Sequence, residues 1–208
     1  MLHGHDGKNG NFGMSEVRTQ ASSTLFGSWG HTSVSRGLGE FQGRRPVIIA
    51  DGNEFALALP IEGLDDKRLA EFRALCGAAA PCLVITERRA LALGLEASTP
   101  IELSLSDNDD AAAILALVID ATSTRAPAAK PARRLTAAAI DLVKLSQSLP
   151  AVLAAGVVPE AIASADLIVR VEADEIARFA EDAIRSLMVA SEASVPLGSG
   201  SPTRFVVF

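Results

Sequence analysis

Tyrosine is absent from this chain, and histidine is confined to its first 31 residues, as His3, His5 and His31. The missing tyrosine reflects genome composition more than mechanism. The histidine distribution leaves the rest of the chain without the side chain most often used for proton transfer near neutral pH. Cysteine is almost as scarce. Cys76 and Cys82 match neither a zinc spacing nor a Cys-x-x-Cys redox pair, so two free thiols in a cytoplasmic protein are the expectation. No apolar run approaches the roughly 20 residues needed to cross a bilayer. The opening Met1-Leu2-His3-Gly4-His5-Asp6-Gly7 lacks the hydrocarbon core of a secretory signal. A basic excess is missing too: 19 Lys and Arg stand against 25 Asp and Glu, a net charge of −6, which argues against a nucleic-acid surface.

What is present has the proportions of a globular domain, 49% hydrophobic and 21% charged. Residues 1–33 open with Gly, Ser and Asn in abundance and read as a flexible tail. Within it Met14 is a second candidate start, Phe26 and Trp29 are candidates for docking on the body or on a partner, and His3 and His5 read as tail residues. The body begins at Val34. Val34, Leu38 and Phe41 have helical spacing, and Gly43 is a stop. Pro46-Val47-Ile48-Ile49-Ala50-Asp51 predicts a strand apolar on both faces, turning at Asp51-Gly52-Asn53 into a returning strand, Glu54 onward.

Asp65 is positioned to cap a helix carrying Leu69, Phe72, Leu75 and Cys76, with Gly77 ending it. Cys82-Leu83-Val84-Ile85 predicts a short buried strand. Thr86 caps the next helix, through Leu93 to Gly94, with Glu87, Arg88 and Arg89 read as a solvated first turn. Ile101, Leu103 and Leu105 alternate as in a half-buried strand. Asp107-Asn108-Asp109-Asp110 lacks the glycine and distal glutamate of a calcium loop and reads as the acidic start of a helix over Ala111-Ala112-Ala113-Ile114-Leu115-Ala116-Leu117. A flexible connector runs from Ala121 to Arg134. Then come a helix with Ile140, Val143 and Leu145 turned inward and ended by Pro150, a strand at Val152-Leu153-Ala154-Ala155, a strand at Leu167-Ile168-Val169-Arg170-Val171, and a helix from Ala173 to Arg185. Leu187-Met188-Val189-Ala190 reads as the last strand. The order of helices and strands has no strict βαβ alternation, so the fold class is α+β.

The segment Arg134-Leu135-Thr136-Ala137-Ala138-Ala139-Ile140-Asp141-Leu142 resembles the Gly-His-Thr-Glu-Ala segment of 3,4-dihydroxy-2-butanone 4-phosphate synthases. Gly43-Arg44-Arg45-Pro46-Val47-Ile48-Ile49-Ala50-Asp51 resembles the opening strand of that family, and Cys82-Leu83-Val84-Ile85 through Leu93-Gly94-Leu95 resembles a later strand and helix. The resemblance covers residues 34–195 and implies a mixed sheet with packed helices. In the family the His and Glu of the signature handle protons and a divalent metal. Here Leu135 and Ala137 stand in those places, and the acidic loop that follows the opening strand is reduced to Asn53 and Glu54. Gly30-His31-Thr32 repeats part of the signature about a hundred residues too early and reads as chance. Residues 196–208, from Pro196-Leu197 to Phe205-Val206-Val207-Phe208, resemble the junction into a GTP cyclohydrolase II domain, as in fused riboflavin-pathway proteins; completing the sheet of the body is the other reading of Phe205–Phe208.

Leucine and alanine neither hold magnesium, which needs hard oxygen ligands, nor move protons. The expectation is therefore a domain with no catalytic residues, no metal and no cofactor, serving as a scaffold or homodimerisation unit beside a GTP cyclohydrolase II domain. A second reading is a phosphate-binding module built on Arg133, Arg134 and Thr136, against a plain alternative in which Thr136 caps the helix and both arginines are solvated. A third is an enzyme of shifted chemistry on the same scaffold, for which the sequence offers no new constellation of acid, base or nucleophile.

Overall fold

The computed structural model describes residues 28–120, 127–158, 162, 165–196 and 202–207. The expectations for His3, His5, Met14 and Phe26 lie outside those residues.

The first helix, α1 (Trp29–Gln42), begins before the boundary expected at residue 33, because Ser28 caps it through the His31 amide and Gly30 and Ser33 are already buried. Trp29 stays 73% exposed. His31, in the chance Gly-His-Thr triplet, rests on Phe179 with ring centroids 4.6 Å apart. Gly43 does not turn the chain. The left-handed residue is Arg44 (φ +59), whose own and following amides bond back to Phe41 and Glu40 in a Schellman pattern.

Strands β1 (Val47–Asp51) and β2 (Glu54–Pro60) form the expected hairpin. Its two-residue turn has positive φ only at Gly52, the pattern of a type II′ turn. Then follow α2 (Asp66–Cys76), β3 (Cys82–Ile85), α3 (Glu87–Ala92), β4 (Ile101–Ser104) and α4 (Ala111–Ile119). Asp65 accepts from Arg68 N at 2.7 Å, Thr86 from Arg89 N at 3.3 Å and Asp110 from Ala113 N at 2.7 Å, so all three expected caps are made. Asp66 adds a second bond to the start of α4, accepting from Ala111 N at 2.8 Å. Arg89 is no solvated residue: its guanidinium donates to the carbonyls of Ala116, Leu117 and Asp120, satisfying the C-terminal end of α4.

The expected connector contains a strand, β5 (Ala129–Pro131), paired with β4. Pro131 is tolerated because β5 is an edge. Helix α5 (Arg134–Leu145) ends well before Pro150. Gln147 takes the left-handed conformation (φ +59), and Ser148 N bonds to Val143 O, a second Schellman ending. A side chain in that conformation is strained, so Gln147→Gly is expected to stabilise the fold by about 0.5–1 kcal/mol. Urea unfolding should show a higher midpoint with an unchanged slope.

Strand β6 (Ala151–Gly156) follows. The stretch expected as a strand from Leu167 instead closes a 3-10 turn, Ala165–Leu167, and β7 (Arg170–Glu172) is displaced towards α6 (Ala173–Arg185). Residues 187–190 are not a strand. They run exposed and irregular. The strand is β8 (Ser191–Val195), paired antiparallel with β9 (Thr203–Val207) in a two-stranded sheet of its own. The tail strand therefore does not complete the main sheet, and its pairing crosses the boundary expected at residue 196.

The main sheet runs β5-β4-β3-β6-β2-β1-β7, antiparallel throughout except for the β1–β7 pair. Alternate residues of each strand serve two cores. Leu57, Leu83, Leu103 and Leu153 meet α2, α3 and α4, while Ile49, Ala58, Val84 and Val152 meet α1, α5 and α6. The result is a mixed sheet between two helical layers, an α+β fold. No helix among the described residues is long and apolar enough to cross a membrane.

Candidate functional site

Alternation along β4 sends Ile101 and Leu103 into the first core and Glu102 to the other face, beneath the start of α5. The glutamate is only 1% exposed. A buried carboxylate has to be paired, and this one is. Its Oε1 accepts from Thr136 Oγ1 at 2.7 Å, from Arg133 Nε at 3.0 Å and from the Arg133 amide at 3.2 Å. The Lys130 ammonium, directly across on β5, lies 3.1 Å from Oε2 as an ion pair without hydrogen-bond alignment. Burial by itself pushes the Glu102 pKa up. The hydrogen bonds from Thr136 and Arg133, with the Lys130 ammonium beside Oε2, outweigh it and bring the value down to about 2, so the group is ionised at neutral pH.

Thr136, the residue matched to the threonine of the resembled segment, is fully buried, with its hydroxyl turned to Glu102 and lying 2.9 Å from the Arg133 carbonyl. It does not cap α5: the N-cap is Arg133, and no side chain caps that end. Arg134 points away from Arg133, to Asp51 at 3.0 Å and to Asp174. Of the three residues expected to hold phosphate, Arg133 and Thr136 thus meet on a protein carboxylate, and Arg134 belongs to a different ion pair.

Beside this cluster is a cavity of about 580 Å³. Its walls come from the β1–β2 turn, the end of α2, the start of α5 and the end of β6. Arg133 and Leu135 line it from α5, Glu54 and Phe55 from the hairpin, and Gly156 and Val157 from β6. The hydrocarbon of Leu135 therefore faces the space where the family resemblance places a histidine. Cys76 also lines it, but burial pushes that thiol up to about 11. Cys82, whose thiol donates to the Ala154 carbonyl, is pushed up to about 12 by burial and by the charge of Glu102. Thiols held protonated in this way are not nucleophiles at neutral pH.

Sequence reasoning missed Glu102 and Lys130. In Ile101-Glu102-Leu103 the glutamate has the signature of a solvent-facing position, and Lys130 fell in a supposed connector. The available signal was Thr136, a polar residue on the inward face of an otherwise apolar helix.

Comparison with solved structures finds the same architecture in 3,4-dihydroxy-2-butanone 4-phosphate synthases. A two-domain member from A. baumannii superposes with a TM-score of 0.57 at 15% identity, over 83% of this chain and 65% of that one. This chain therefore spans less than two thirds of that protein's length. The Candida albicans enzyme gives 0.53 at 16% identity, over 71% of this chain and 96% of its own. A synthase in complex with two magnesium ions gives 0.57 at 15% identity, over 74% and 99%. No family model and no curated sequence matches the chain. The fold is thus 3,4-dihydroxy-2-butanone 4-phosphate synthase-like. The residues present do not suit a magnesium pair: among the described residues no group of three His, Cys, Asp or Glu is placed to hold a metal, and the carboxylate lining the cavity, Glu54, shares it with the Arg133 cation.

Proposed function

We propose that this chain is a non-catalytic relative of the riboflavin-pathway synthases whose fold it shares. Its role would be that of a scaffold: to form a homodimer and to support a neighbouring GTP cyclohydrolase II-type domain. The observation that carries this reading is the start of α5. Leu135 and Ala137 offer no acid, base or metal ligand, and the Thr136 hydroxyl between them is spent on the buried Glu102. Enolising a ketose requires a positioned proton carrier, and the cavity beside α5 offers one carboxylate, Glu54, and two high-pKa or cationic groups, Cys76 and Arg133. Incubation with ribulose 5-phosphate and magnesium is expected to release no butanone phosphate, and the chain is expected to hydrolyse no GTP. Release of butanone phosphate would refute the reading. Light scattering should give twice the monomer mass of 21.6 kDa; a monomer would remove the dimerisation role.

The Arg133 side chain favours a second reading, a ligand-binding module. Its outer Nη edge makes no hydrogen bond among the described residues and borders the cavity.

A further inference from the structure

We infer that the cavity beside α5 takes a small monoanion with a hydrocarbon body, such as an aryl- or branched-alkyl carboxylate, and not a sugar phosphate. The inference rests on the ligand-binding reading of this pocket. A volume of about 580 Å³ is ample for such a molecule. Phe55, Leu75, Leu135, Val157, Val158 and Ile162 supply its apolar walls. A polyhydroxylated chain would lose its water against those walls and gain too few partners in return.

Lys130 offsets the charge of the buried Glu102, and the residues lining the cavity carry one cation, Arg133, and one carboxylate, Glu54, so a single negative charge is the most this wall can hold. The cation is aimed. Glu102 holds Arg133 by its Nε, while Nη1 lies 3.7 Å from where a side chain on Gly156 would begin. Gly156 lines the cavity, so Nη1 of the guanidinium borders it, on a group whose fork of N–H donors suits a carboxylate. Glu54, on the same wall and close enough to act on the charge of Arg133, opposes a second negative charge. Gly156 keeps the space open: at the end of β6 its backbone has no left-handed strain, and a side chain there would project into the cavity.

The test is calorimetry on the full chain with 4-phenylbutyrate, butyrate, 4-phenylbutanol, inorganic phosphate and ribulose 5-phosphate. The expected result is binding of 4-phenylbutyrate at least about tenfold tighter than butyrate, since each buried methylene contributes about a factor of four. It should also bind about tenfold tighter than the alcohol, with neither phosphate compound competing. Arg133→Lys keeps the pair with Glu102 but loses the fork, and should bring acid and alcohol to within about twofold of each other. Gly156→Leu fills the cavity without touching Glu102, and should weaken 4-phenylbutyrate at least tenfold at an unchanged unfolding midpoint. No binding of 4-phenylbutyrate, equal binding of acid and alcohol, tighter binding of ribulose 5-phosphate, or an indifferent Gly156→Leu would each overturn the inference. None of those outcomes involves turnover, so the inference can fail while the non-catalytic reading stands, and butanone phosphate release would sink the latter alone.

Discussion

Glu102→Gln is expected to cost about 2 kcal/mol at pH 7 and to lose most of that penalty by pH 2. The wild-type carboxyl falls from an ordinary 4.5 to about 2 on folding. Between those values the unfolded chain binds the proton and the native chain does not. Stability from this group is therefore complete above pH 4.5 and is lost as pH falls towards 2. The full shift corresponds to about 3 kcal/mol. Lys130 and Arg133 are 63% and 58% exposed, so water screens the pair and about 2 kcal/mol is the better figure. Glutamine keeps the shape and still accepts from Thr136, but has no charge to lose. Glu102→Ala leaves the Thr136 hydroxyl without its acceptor as well, and should cost about 3 kcal/mol at pH 7. Urea midpoints at pH 7, 5, 3.5 and 2.5 read this directly. An equal acid slope in wild type and Glu102→Gln would show that Glu102 is not held ionised by its partners.

Ile140→Ala is expected to be the most damaging change on α5, costing about 3 kcal/mol. Ile140 is fully buried between α5 and the sheet, in a layer where Ala56, Ala58, Ala139 and Ala154 already hold helix and sheet close. Small neighbours have no long side chains to swing into the space left behind, so the cavity persists and its cost is not recovered by relaxation. The gain in helix propensity from alanine is a few tenths of a kcal/mol and does not offset it. For a chain of this size the melting temperature should drop by about 6–12 °C. A drop of under 2 °C would mean that the α5 layer repacks, contrary to the close contact described.

The hairpin at Gly52, the caps at Asp65, Thr86 and Asp110, and the short buried strand β3 are local matters, set by turn chemistry and residue type, and each is found where the sequence places it. Helix α1 stops at Gly43 as the sequence indicates, although the left-handed residue is Arg44; the end of α5 lies before Pro150 because Gln147 takes the left-handed conformation, and its side chain gives no sign of it. Residues 187–190 carry the apolar run of a buried strand, but in the fold they lie exposed and unpaired in any sheet.

Spacing and residue type specify helices α1 to α6, the strands β1 to β4 and β6, and the α+β class. Only the tertiary structure decided that Glu102 is buried, that Lys130 and Arg133 converge on it from residues 28 and 31 positions away, and that Thr136 turns inward to meet it. The reason is that a strand's polar face is solvent or core according to what lies over it. For β4 that cover is the start of α5, brought there by the order of the sheet and by nothing in the residues beside Glu102.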